Sequence, residues 1–161
     1  MNVKHLNQPI VKIAAAALAV ALVGGCASLR DMTGMKGSSS SNMVALTTTL
    51  RAANEVPPVS SSGSGSVDAA FDKTTSMLRW KVSYTGLSGP ATAGHFHGPA
   101  ATGANAGVAL GWTPPIQSPM EGSATLTAAQ AADLLAGRWY ANIHTAANPG
   151  GEIRGQMTVR N

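Results

Sequence analysis

Three histidines carry most of the chemistry this sequence can offer, and they fall in two short motifs, His95-Phe96-His97-Gly98 and Asn142-Ile143-His144-Thr145. Successive side chains of a β-strand point to opposite faces, so His95 and His97 share one face and Phe96 takes the other. Asn142 and His144 likewise share a face opposite Ile143. Two imidazoles at i and i+2, joined by a third from another strand, suit either a small metal site or a buried polar network. Neutral imidazole is a borderline-soft ligand fitted to copper or zinc, and a chain with one cysteine cannot build an iron–sulfur or Cys-type zinc site. In the metal reading the three ring nitrogens meet within roughly 4 Å, and Glu152 or Asn142 orients a ring. In the network reading Asn142, Glu152, Arg154 and Gln156 satisfy the imidazoles and one another through charge-assisted hydrogen bonds. The even spacing of Glu152, Arg154 and Gln156 puts them on one strand face, with Glu152 paired to an arginine. Both readings use the same residues, and both stay open at this point.

The elements that position these residues begin with a leader. Lys4 and Lys12 precede an uncharged run from Ile13 to Val23, too short to span a bilayer as a helix and suited to a signal peptide. It ends in Val23-Gly24-Gly25-Cys26, which resembles the lipobox of bacterial lipoproteins and implies cleavage before Cys26 and lipidation of that residue. A lone thiol in an exported chain otherwise wants an explanation. Ala27, rather than aspartate, resembles the sorting signal for the outer membrane; without lipidation the chain would be periplasmic or secreted. The expected organisation is a signal peptide over residues 1–25, a flexible Gly/Ser-rich tether over 26–42 and one β domain over 43–161. His5, the fourth histidine, lies in the leader.

Loss of residues 1–25 removes Lys4 and Lys12 from the eleven basic residues and none of the seven acids, leaving nine against seven, a net charge of +2. These charges are dispersed, so nucleic acid is not an expected partner. A single cysteine excludes an intrachain disulfide, so the core alone must hold the domain.

Strand signals dominate that domain. Val44–Leu50, Ser66–Phe71, Met77–Tyr84, Ala93–His97, Gly107–Gly111, Gly122–Leu126, Arg138–Thr145 and Glu152–Val159 read as strands, separated by turns such as Ser88-Gly89-Pro90 and Asn148-Pro149-Gly150-Gly151. Leu78, Trp80 and Val82 alternate onto one face. The expectation is an all-β, antiparallel β-sandwich of Ig-like or Greek-key type. One short α-helix is expected near residues 128–136, opened by a capping box at Thr127-Ala128-Ala129-Gln130 and stopped at Gly137.

Several segments resemble the CHRD domain, in the family's order: Asn54-Glu55-Val56-Pro57-Pro58-Val59, Tyr84-Thr85-Gly86-Leu87-Ser88-Gly89-Pro90, and His95-Phe96-His97-Gly98-Pro99-Ala100. Asp133 to Tyr140, Asn142 to Thr145 and Gly150 to Gln156 continue the set. The resemblance runs from about Met43 to Val159. It implies a β module found in the animal protein chordin, an antagonist of bone morphogenetic growth factors, and alone in bacterial exported proteins that share no common activity. A His-x-His strand on a β-sandwich is also similar to part of the copper site of copper–zinc superoxide dismutases. The remaining ligands of such a site have no counterpart among three histidines, which argues against dismutation.

Other candidates weaken on inspection. Ser60 to Ser66 reads as a flexible turn, because no base flanks its hydroxyls. The glycines of Gly98 to Gly107 lack the strand and helix that dinucleotide binding needs and read as a loop rimming the His-x-His strand. Glu55 before Pro57-Pro58 reads as a charged edge position, the commoner case, with an exposed binding residue as the alternative. Trp80, Trp112 and Trp139 read as core, with Trp112 also placed to make a surface contact, and the scattered methionines as gap-fillers rather than a copper motif. No set of nucleophile, base and orienter is recognisable. The expected function is therefore a non-enzymatic, lipid-anchored envelope module with a His-centred face. The alternatives are copper or zinc binding through His95, His97 and His144, and then a metal-dependent enzyme.

Overall fold

The computed structural model describes residues 42–160, so the leader, Cys26 and nearly all of the tether lie outside the described residues. Within them the chain forms β1 (Met43–Arg51), a 3-10 turn (Ala52–Asn54), β2 (Ser64–Asp72), β3 (Met77–Thr85), β4 (Ala91–His97), β5 (Val108–Gly111) and β6 (Met120–Thr125). Helix α1 (Ala128–Leu135), β7 (Tyr140–Thr145), β8 (Ile153–Gln156) and β9 (Thr158–Val159) follow. The all-β antiparallel class with one short helix is what the strand and turn signals led to expect.

The layers are halves of one continuous sheet rather than two separate ones. The strands pair in the order β5-β4-β7-β8-β1-β2-β3-β6, with β9 also on β1. The two halves meet where Arg51 of β1 lies opposite Arg154 of β8. The sheet curls until β3 faces β4, and the Trp80 and Phe96 rings meet edge to face at 5.3 Å.

Period-2 alternation builds the core between the halves. On β3, Leu78, Trp80 and Val82 are buried, and they stand opposite Phe71, Ala69 and Val67 of β2. On β4, Phe96 is fully buried, so this one side chain supplies roughly 1.5–3 kcal/mol of burial free energy. Trp112 belongs to the core and is buried. Its indole occupies the space that a Cβ on Gly94 would need, and its ring centroid is 5.3 Å from that of Phe96. Of the methionines, Met157 fills the core, while Met43 is exposed.

Helix α1 forms for local reasons. Thr127 accepts a hydrogen bond from the Gln130 amide, the Gln130 side chain accepts one from the Thr127 amide, and Gly137 leaves the helix at φ +69°. Its single buried residue is Leu134.

Candidate functional site

Strand β7 lies between β4 and β8, and their register decides which polar residues meet. His95, Asn142 and Arg154 stand in one cross-strand row, and His97, Tyr140 and Gln156 in the next. His144 stands opposite Ala93. Phe96, Ala141, Ile143 and Ile153 belong to the core, so alternation turns this polar set to the opposite face. That face is nevertheless covered, because His97, Asn142, His144 and Arg154 are all buried.

The cover is made by two loops whose carbonyls receive the polar side chains. From the loop between β4 and β5, Ala106 O accepts from His97 Nδ1 at 3.0 Å. Ala104 O and Asn105 Oδ1 accept from Arg154 at 2.5 and 2.8 Å, and Ala100 O accepts from Gln156 at 3.0 Å. From the β7–β8 turn, Pro149 O accepts from His144 Nδ1 at 3.0 Å. His97 stacks on Tyr140 with ring centroids 4.9 Å apart, and the Arg154 guanidinium lies 3.4 Å over the same ring.

These bonds set the tautomers. With Nδ1–H donated to a carbonyl, His97 and His144 each present a bare Nε2 lone pair, the arrangement that metal-binding histidines use. His144 Nε2 stands 3.0 Å from His95 Nδ1, and one nitrogen from each of the three rings lies within 4.8 Å of the others. Three zinc ligands about 2.0–2.1 Å from one ion need a tighter spacing of roughly 3.3–4 Å, so one ring would swing inward to close such a site. His97 Nε2 is buried and has no hydrogen-bond partner among the described residues. Burial, and then the neighbouring histidines His144 and His97, lower the His95 pKa. Burial also leads at His97, where it outweighs the support of the Ala106 carbonyl and the Asn142 side chain. Both shifts favour the neutral, lone-pair-bearing form.

Glu152, expected beside the imidazoles or paired with Arg154, does neither. β8 begins one residue later, at Ile153, so the strand alternation does not govern Glu152. Its carboxylate instead accepts from Ser61, from the amide and hydroxyl of Ser88, from Thr145 and from Asn148, at 2.5–3.1 Å. Burial pushes this acid up, yet the bonds from Ser61, Ser88 and Thr145 outweigh it and hold its pKa at about 2. The serine run also differs from its expectation: Ser61 is tied to Glu152, and Ser64 already belongs to β2. Arg154 and Gln156 bind loop carbonyls rather than each other, and Gln156 also donates to Gly137 O.

Glu55 is the residue that sequence reasoning misplaced. It is no edge charge but is 6% exposed, and its Oε1 has no partner among the described residues. Burial pushes its carboxyl up to about 7 against the pull of the Arg154 guanidinium. Glu55 and Asn142 both approach the backbone of Gly151 in the β7–β8 turn. A Cβ on Gly151 would lie 2.5 Å from Glu55 Oε1 and 2.7 Å from Asn142 Nδ2, and Gly151 has φ +128°. Glycine alone lets the β7–β8 turn settle against both groups. Asn142 Oδ1 is likewise buried and unpartnered among the described residues. Nothing in the local sequence around Glu55 signals burial, since its approach to Gly151 spans 96 positions (151 − 55).

The CHRD domain family matches residues 46–157. The chain belongs to the CHRD domain family. The match takes in the His95-Phe96-His97 strand, the Asn142-Ile143-His144 strand and Glu55, and so covers every residue of the site. No curated protein and no solved structure matches the chain.

Proposed function

We propose that this CHRD protein is a lipid-anchored protein of the cell envelope, sorted to the outer membrane, whose domain is a non-enzymatic module that binds copper or zinc through His95 Nδ1, His97 Nε2 and His144 Nε2. Family membership supports a binding module rather than an enzyme. The observation that carries the metal reading is the bare, buried Nε2 of His97 beside the His95–His144 pair. Buried acceptors in a purely structural network are in the large majority satisfied. The donor set fits a borderline-soft cation, with two of the three rings already oriented by backbone carbonyls. Cys26, following the apolar run of the leader, supports the anchor.

The test is a titration of the purified full chain with copper(II) and zinc(II). The parent should bind one equivalent, and His144→Ala or His97→Ala should bind none while keeping the fold. A purely structural network is the second reading, favoured by the 3.0 Å His95–His144 contact, which closes without an ion. It would be left standing if the parent bound neither metal and both variants lost much of their stability. For the anchor, Cys26→Ser should move the protein from the membrane to the soluble fraction. Identical partitioning of the two proteins would sink that part of the proposal.

A further inference from the structure

An imidazole ligand brings no negative charge, so a divalent ion among the three histidines would carry its whole charge into a buried face. Such a charge is costly unless an anion offsets it. Two carboxyl groups are buried among the described residues, Glu55 and Glu152. Glu152 has both oxygens committed to hydroxyl and amide donors. Glu55 keeps Oε1 unpartnered among the described residues, against the same Gly151 that touches Asn142, and Asn142 stands directly opposite His95. Arg154 adds a positive charge to this face, which an ion at the histidines would also feel. A negative partner is therefore needed more here than in a neutral pocket.

Resting on the metal reading above, we propose that Glu55, brought with Asn142 against the backbone of Gly151, is the charge-compensating carboxylate of the three-histidine site, so that the site takes a divalent cation in preference to a monovalent one. Glu55 stands outside the cluster of three ring nitrogens and acts on the ion through space or through a ligand it orients. Asn142 Oδ1 offers a second idle acceptor at that edge, so a molecule bound to the ion on this side would find two acceptors for its protons. Glu55 is thus a positioning and electrostatic residue of the site, while the histidines make the bonds.

Charge compensation has a signature that a packing role lacks. The interaction of one carboxylate with an ion scales with the ion's charge, so its loss weakens a dication twice as much in free energy as a monocation. Affinities of the parent full chain, Glu55→Gln and Glu55→Asp would be measured for zinc(II) and for silver(I), a monovalent ion that also accepts imidazole. Glu55→Gln should lose about tenfold or more for zinc(II) and only the square root of that factor, about threefold, for silver(I). Glu55→Asp, which keeps the charge, should retain most of the zinc preference. Glu55→Ala gives the same ratio if the amide is poorly tolerated. Equal losses for the two ions, or no loss for either, would overturn the role of Glu55 while leaving the histidine site intact. A parent that binds neither ion would defeat the metal reading itself.

Discussion

Two buried glutamates in one small domain have been given opposite surroundings. Glu152 is enclosed by donors from three segments, Ser61 ahead of β2, Ser88 between β3 and β4, and Thr145 with Asn148 at the end of β7. Glu55 is almost as deeply buried, yet one of its oxygens faces no donor among the described residues. The first carboxyl is driven down to about 2 and the second up to about 7. Burial is the leading influence on both acids, so hydrogen bonds decide the sign. Glu152 is a fastening that ties loops to the sheet. Glu55 is a buried carboxyl left without the donors that Glu152 has.

The contrast can be tested in the protein kept free of metal by a chelator. The largest effect is expected at Glu152. Glu152→Ala would leave buried donors from Ser88 and Thr145 without an acceptor, and should cost about 3–5 kcal/mol in a urea unfolding experiment. A loss under about 1 kcal/mol would mean that water replaces the carboxylate at no cost, and the fastening role would fall.

The pH dependence comes next, and the two acids pull in opposite directions. The Glu152 pKa is depressed by folding, so its stabilisation is complete above its ordinary value of 4.5 and is lost as pH falls toward 2. The Glu55 pKa is raised by folding, so the folded state is favoured below 4.5 and loses that advantage as pH rises through about 7. Taken by themselves, the two acids give stability that falls on both sides of a maximum in the mildly acidic range, while the depressed His95 and His97 imidazoles add stability as pH rises toward their ordinary 6.5. Glu55→Gln should flatten the limb between 4.5 and 7 and leave the acid limb unchanged. If it altered the acid limb instead, the assignment of the two groups would have to be exchanged.

Gly151→Ala should cost less, about 1–2 kcal/mol, because a methyl group there meets Glu55 and Asn142 at an unfavourable φ. Its melting temperature, compared with that of Gly150→Ala, isolates the close approach, since a Cβ on Gly150 meets nothing within 4 Å. Equal effects at the two glycines would show that the turn is not pressed against the site. The smallest change is expected for Glu55→Gln at pH 8, where removing a buried charge should leave the metal-free domain at least as stable as the parent.

Much of the architecture is legible along the chain because it depends on near neighbours. Alternation alone separates Phe96 from His95 and His97, and Ile143 from Asn142 and His144. The capping pair Thr127 and Gln130 with Gly137 delimits α1, since capping is a contact over three residues. The histidines are identifiable as one candidate group because they are so few. Their meeting is another matter: it needs β7 to pair with β4 in a register that sets Asn142 against His95. Tertiary structure also decided which acid does what. Even spacing suggested that Glu152 would share a face with Arg154, but β8 starts one residue too late for that alternation to hold. Glu55 looked like a surface charge before a proline pair, and segments distant in the chain bury it, the β7–β8 turn at Gly151 and Arg154 of β8 among them. Side-chain direction within a strand follows from backbone geometry one residue at a time. The environment of a carboxyl is set by whatever distant segments fold against it, and no local pattern records them.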